Sequence, residues 1–104
     1  MNKDQYLAEF KLITEQMYEI TKAKNNDYTN GNDDAFRNFR QVELMGICSA
    51  EQGFLTRMVD KMMRISSFVN SGQLLVKDES VTDTLQDLAN YSILMLCYIK
   101  SKKK

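Results

Sequence analysis

Asp83, Asp87 and Asn90 follow one another at spacings of four and three residues within Val81–Ile99, VTDTLQDLANYSILMLCYI. On a helix that spacing stacks the three side chains on a single face. The stripe runs into a stretch that is apolar on every side, and an ionised carboxylate drawn into such surroundings is strongly disfavoured unless a cation, a donor network or a metal compensates it. Two chemistries would satisfy these acids: basic side chains of the same chain neutralise them, or they hold a metal while the bases hold phosphates. The chain contains no histidine. That excludes an imidazole general base, Ser-His-Asp and Cys-His nucleophile systems and His-ligated zinc. Hydrolytic chemistry would therefore rest on carboxylates, with a hard, oxygen-seeking metal such as magnesium.

The partners for those acids come from the preceding helical segment. Between about residues 50 and 70, Leu55, Met58, Met62, Ile65 and Val69 recur at helical spacing. Arg57, Asp60 and Arg64 fall on the far side, with Lys61 at the flank. A charged face opposite an apolar one is commonly just solvated. If the two helices pack antiparallel, as neighbours joined by a short connection usually do, this face and the Glu79, Asp83, Asp87, Asn90 face line the two sides of one cleft.

The elements that must position these residues read as helices throughout. There is no proline, and glycine occurs at four positions, Gly31, Gly46, Gly53 and Gly72. A first helix is predicted over about 3–25, with Tyr6, Phe10, Ile13, Met17 and Ile20 as a core-facing stripe. Its end is set by the polar, turn-favouring run KNNDYTNGNDD. A loop over about 26–48 follows, with a short helical turn around Ala35–Arg40. Lys24 at the end of the first helix, with Asp27 and Tyr28 at the start of the loop, is offered to the base or sugar of a ligand, while Phe36 and Phe39 pin the loop to the core. Ser49 and Gln52 have capping-box spacing and start the helix over about 50–70. The last helix is predicted over about 79–100, with Val81, Leu85, Leu88, Ser92, Met95 and Ile99 as its principal apolar face and a basic tail at 100–104. Because its second half is greasy all round, either the first helix or a second subunit should cover it.

At 104 residues, with fourteen basic residues balancing fourteen acidic ones, the expectation is one all-α domain without a global field toward nucleic acid or anionic membrane. Neither membrane nor nucleic acid is an expected partner. Cys48 and Cys97 lack metal or redox spacing and read as free, buried thiols of a reducing cytoplasm. A core of this size gains from self-association.

The stretches KAKNNDY, GFLTRMVDKMMR and VKDESVTDTLQDLANY, in this order and covering Lys22 to Tyr98, resemble the nucleotide modification associated domain 1 family of phages and bacteria. That family is similar in turn to the MazG-like all-α nucleoside triphosphate pyrophosphatases, which carry an E-E-x-x-E and then an E-x-x-D pattern on two helices. The resemblance implies a MazG-like antiparallel helical bundle completed by homodimerisation or larger assembly, and a nucleotide as ligand. It implies Asp60, Asp83 and Asp87 in catalysis, magnesium held by Asp60, Glu79, Asp83 and Asp87, and substrate bound by Lys24, Asp27, Tyr28, Arg57, Lys61, Arg64 and Asn90. The pattern here is incomplete: Thr56 and Arg57 stand at the first two acidic positions and Thr84 at the later glutamate. Two functions stay open on these residues. One is a nucleotide-binding protein with magnesium-dependent pyrophosphohydrolase activity. The other is a non-catalytic, phage-type accessory protein in the host cytoplasm that sequesters a nucleotide or binds a host protein, the latter through Met58, Met62 and Met63.

Overall fold

The computed structural model describes residues 1–28, 33–72 and 80–102, and of 26–28 the backbone alone. Among them every regular element is helical: α1 (Lys3–Tyr28), α2 (Arg37–Leu44), α3 (Ala50–Ser71) and α4 (Val81–Lys102). No described helix is long and apolar enough to cross a membrane. The chain divides into two compact units, Met1–Arg37 and Asn38–Lys104.

In the first unit, α1 opens on a reciprocal cap. The Gln5 N–H donates to Asn2 Oδ1 and the Asn2 N–H to Gln5 Oε1, both at 2.9 Å, which satisfies two backbone donors that a helix start would otherwise leave open. The helix continues to Tyr28, past the Lys24–Asn25 stop that the polar run suggested. Asn25 does not break it; its side-chain amide donates to the Ala35 carbonyl at 3.1 Å. Asp34 then accepts from the Phe36 N–H through Oδ1 at 3.0 Å and from the Arg37 N–H through its carbonyl at 3.2 Å, turning the chain into α2. The stripe expected to be core is mostly open: Tyr6, Phe10, Ile13 and Ile20 are exposed and Met17 is buried. Apolar spacing marks which face seeks a partner, not whether its own unit supplies one.

The second unit is built on α3 and α4. Glu51 meets Lys102 at one end, Phe54 meets Tyr98 a turn further in, and Lys61 meets Asp87 beyond that. Contacts that run forward along one helix and backward along the other define an antiparallel hairpin. Phe54, Thr84 and Tyr98 are buried along its seam, and Met58, Lys61, Ile65, Phe68, Leu88, Tyr91 and Met95 are half-buried there.

Helix α2 lies against the α3 start of this hairpin. It is longer than the short turn expected at Ala35–Arg40, because both its ends and one face are held. The Phe39 ring stacks on Phe54 at 3.8 Å between centroids, as the reading of Phe39 as a packing residue required. Gly53 makes the approach possible, since a Cβ there would meet Phe39 at 3.3 Å and Val42 at 3.5 Å. At its end, Gly46 takes φ +74°. Its N–H reaches the Glu43 carbonyl and that of Ile47 the Val42 carbonyl, each at 3.0 Å, the Schellman closure that favours glycine. Three residues later Ser49 caps α3 in a complete capping box with Gln52, and Glu43 Oε2 accepts from the Ala50 N–H at 2.7 Å. Cys97, read from its surroundings as buried, is exposed, and Cys48 is half-buried.

Candidate functional site

Seam positions fix what the rest of each helix does. A residue one place before a seam residue is turned by about 100° from it. In an antiparallel pair, the same offset on both helices carries the two stripes to the same side of the hairpin. On α3 the stripe one place before the seam is Arg57, Asp60 and Arg64; on α4 it is Asp83, Asp87 and Asn90. The second unit thus brings six of the residues singled out from sequence onto one side, with Lys61 in the seam between them. The register set by Lys61 and Asp87 places Arg64 opposite Thr84, next to Asp83, and Asp60 opposite Leu88, between Asp87 and Asn90.

The contacts within this group are charge pairs. Lys61 Nζ lies 3.1 Å from Asp87 Oδ2, with the two side chains 15% and 25% exposed. Arg64 Nη2 lies 3.4 Å from Asp60 Oδ2, a pair one helical turn apart on an open surface. Asp83 is exposed and serves the start of α4: Ser80 Oγ accepts from its N–H at 3.1 Å. Ser80 thus caps the described start of α4, its hydroxyl satisfying a first-turn donor, and the start expected near Glu79 lies outside the described residues. Thr84, one place further, is fully buried, and its Oγ1 donates to the Ser80 carbonyl at 3.2 Å. A glutamate in its place would point into the seam, so its position is one of packing.

Among the described residues no group of three His, Cys, Asp or Glu side chains converges closely enough to hold a metal. Asp60, Asp83 and Asp87 share a side without forming a cage, and Glu79, the fourth expected ligand, lies outside the described residues. Of the three ligand contacts expected from the first loop, Lys24 stands in the last turns of α1, while the side chains of Asp27 and Tyr28 lie outside those described.

The opposite end of the hairpin carries a second charged group that the sequence reading missed. Lys102 Nζ lies 3.4 Å from Glu51 Oε2. It also sits 5.3 Å from the centre of the Tyr98 ring, which the Arg40 guanidinium approaches at 5.6 Å. Partial burial works against ionisation of Glu51, but its own backbone N–H, Lys102 and the Tyr98 hydroxyl outweigh that and hold its carboxyl below the ordinary glutamate value. Glu51, through its hydrogen bond and then its charge, raises Lys102 in turn. The tail expected from Lys100 onward is thus helical through Lys102 and tied back to the α3 start. The signal available in advance was the pairing of a first-turn acid on one helix with a last-turn base on its antiparallel neighbour.

An all-helical chain whose charged hairpin side sets arginine and lysine beside carboxylate and amide has the groups that recognise phosphorylated ligands. The chain belongs to the Nucleotide modification associated domain 1 family, whose profile matches residues 24–99. That span includes α2, α3 and nearly all of α4, and with them the whole charged side of the hairpin. No curated protein and no solved structure matches the chain.

Proposed function

We propose that the chain binds a phosphorylated nucleotide on the charged side of the α3/α4 hairpin. The observation that carries this reading is the Lys61–Asp87 pair, 3.1 Å apart and largely sheltered, with Arg57, Asp60 and Arg64 on one flank and Asp83 and Asn90 on the other. The family's description, nucleotide modification associated, is in keeping with a nucleotide as that ligand. In this proposal Arg57 and Arg64 take the phosphate oxygens through paired N–H donors, a geometry for which guanidinium is suited. Lys61 adds a point charge between them, and Asp87 keeps that ammonium in place when no ligand is bound. Asn90 offers both a donor and an acceptor to a base or sugar.

The described acids do not make a magnesium cage, so binding rests on the cations. Magnesium belongs to the proposal as the ion a nucleoside triphosphate brings on its own phosphates, met by one or two carboxylates from Asp60, Asp83 and Asp87. Hydrolysis in the MazG-like manner is the finer form of the reading. Retention of a nucleotide without turnover is the alternative, and the engagement of Asp87 by Lys61 favours it, since that carboxylate already has its counter-charge.

Calorimetric titration with purine and pyrimidine nucleoside triphosphates, the matching nucleosides and inorganic triphosphate, each with and without magnesium, tests the proposal. Triphosphates should bind and nucleosides should not. Arg64→Ala and Arg57→Gln should each weaken binding by roughly tenfold or more, the worth of one hydrogen bond to a charged group. A panel in which nothing binds, or affinities untouched by both substitutions, refutes nucleotide binding at this face. Release of phosphate or pyrophosphate in the same mixtures separates the enzyme from the binding protein.

A further inference from the structure

The end of the hairpin where α3 starts and α4 stops carries an apolar turn. Helix α2 runs against α3 in the opposite sense, since Phe39 stacks on Phe54 and Glu43, one turn on, reaches back to Ala50. Residues 44–47 therefore lie past the first residue of α3, at the tip. Leu44 is 79% exposed, Met45 71% and Ile47 65%. The turn that displays them is closed by its own backbone: the Met45 N–H donates to the Gln41 carbonyl at 2.9 Å, and those of Gly46 and Ile47 to Glu43 and Val42 at 3.0 Å. None of these three donors would be stranded in an apolar medium. Cations stand around the tip. Arg40 lies one turn before Leu44 on α2, and Lys100 and Lys102 belong to the last turn of α4; all three are exposed. Glu43 and Glu51, the acids of this end among the described residues, are already engaged, by the Ala50 N–H and by Lys102. Beyond Lys102 the sequence continues with Lys103 and Lys104.

We propose that this end docks on an anionic lipid surface, with Leu44, Met45 and Ile47 entering the interface while Arg40, Lys100 and Lys102 meet the headgroup phosphates. The chain as a whole is electrically balanced, so the attraction is local and acts within about 8–10 Å at physiological salt. Chemistry selects the occupant. Leucine, methionine and isoleucine carry neither a ring to stack on bases nor a polar group to read them, which disfavours nucleic acid. They stand on a convex turn, whereas apolar surface that receives a partner's helix is a groove. The acyl boundary of a bilayer accepts a protruding apolar tip without a matching cleft. An apolar insertion and a basic collar, each weak, together give reversible attachment that neither would give alone. Lys61, at the centre of the charged side, is about 16 Å along α3 from Ala50, so docking by the tip leaves that side open. The inference stands whether or not the charged side binds a nucleotide.

Co-sedimentation of the full chain with vesicles is the test, using phosphatidylcholine alone and phosphatidylcholine with phosphatidylglycerol in about a two-to-one ratio. The wild type should bind the mixed vesicles, bind those of phosphatidylcholine at least about tenfold more weakly, and be released as salt rises from about 0.1 to 1 M. Leu44→Glu and Ile47→Glu should each weaken binding by roughly tenfold or more, because a carboxylate would have to enter the interface. Both positions are well exposed, so helicity by circular dichroism should be retained. Lys100→Gln should cost about fivefold, and Met63→Glu, about 20 Å along α3 from Ala50, should cost nothing. The chain has no tryptophan, so Met45→Trp places a single reporter at the tip; on the mixed vesicles its emission should move to shorter wavelength and be quenched by brominated acyl chains. No binding to the mixed vesicles, as expected if the tip enters a cleft of another protein, overturns the proposal. So does binding that survives both Leu44→Glu and Ile47→Glu and leaves the Met45→Trp emission unshifted, as expected if the lysines alone are attracted.

Discussion

Replacing Asp87 by Asn removes one charge from the pair in the middle of the hairpin while keeping the shape of the side chain. Lys61 is 15% exposed and Asp87 25%, so the pair lies between two measured regimes. Breaking a fully buried pair costs about 3–5 kcal/mol, and an exposed pair contributes about 0–1 kcal/mol. The residual solvent access, together with the amide's ability to accept from the ammonium, puts Asp87→Asn at about 1–2 kcal/mol. Lys61→Met keeps the apolar stem packed in the seam between Met58 and Ile65 and leaves the more exposed carboxylate behind, for a similar cost. Removing both charges in Lys61→Met/Asp87→Asn should cost less than the two changes added together, with a coupling of about 1 kcal/mol. In thermal unfolding each single change would lower the midpoint by roughly 4–16 °C for a domain of this size. Urea denaturation followed at 222 nm for the four proteins gives the cycle directly. Single changes below about 0.3 kcal/mol, or strict additivity within the usual error of about 0.3–0.5 kcal/mol for independent sites, would show that the pair does not hold α4 against α3 and that the argument from burial is wrong.

Two further outcomes follow from the other end of the hairpin. Phe54 is fully buried between the Phe39 and Tyr98 rings, so Phe54→Ala should destabilise the fold by about 3–5 kcal/mol, read as a shift in urea midpoint; Phe54→Leu should recover part of that loss. The Glu51–Lys102 contact gives a pH signature whose sign follows from the two shifts. Glu51 is held below its ordinary value, so its contribution is complete above the unfolded glutamate value and is lost as pH falls through the lowered one. Lys102 is raised, so its contribution is complete below the unfolded lysine value and is lost as pH rises through the raised one. The stability difference between wild type and Glu51→Gln should therefore be level across neutral pH and shrink at both the acid and the alkaline extremes; a difference that peaks at acid pH would contradict the assignment.

Local chemistry was the most legible part of the chain. The all-helical class follows from the lack of proline, the sparse glycine and the 3.6-residue periodicity. The Ser49–Gln52 box was readable because its hydrogen bonds join residues three apart. The grouping of Arg57, Asp60 and Arg64 with Asp83, Asp87 and Asn90 was also within reach, since it needs only helical spacing and antiparallel pairing. The expected apolar stripes were less accurate. On α3 the stripe through Leu55, Met62 and Val69 proved exposed, and on α4 the buried positions are Thr84 and Tyr98, with Leu85 and Ile99 left open.

What the sequence by itself determined, then, is which backbone is helical, where α3 starts, and which side chains share a stripe, because each depends on residues within about one turn of each other. The rotation of each helix about its own axis was decided only in the tertiary structure. On helices with apolar residues on several sides, periodicity admits more than one seam. The choice here is made by contacts between residues distant along the chain: Phe39 on Phe54, Phe54 against Tyr98, and Lys61 with Asp87. A turn of about 100° either way exchanges a charged side for an apolar one, so those three contacts determine which side of the hairpin carries the charges and which is apolar.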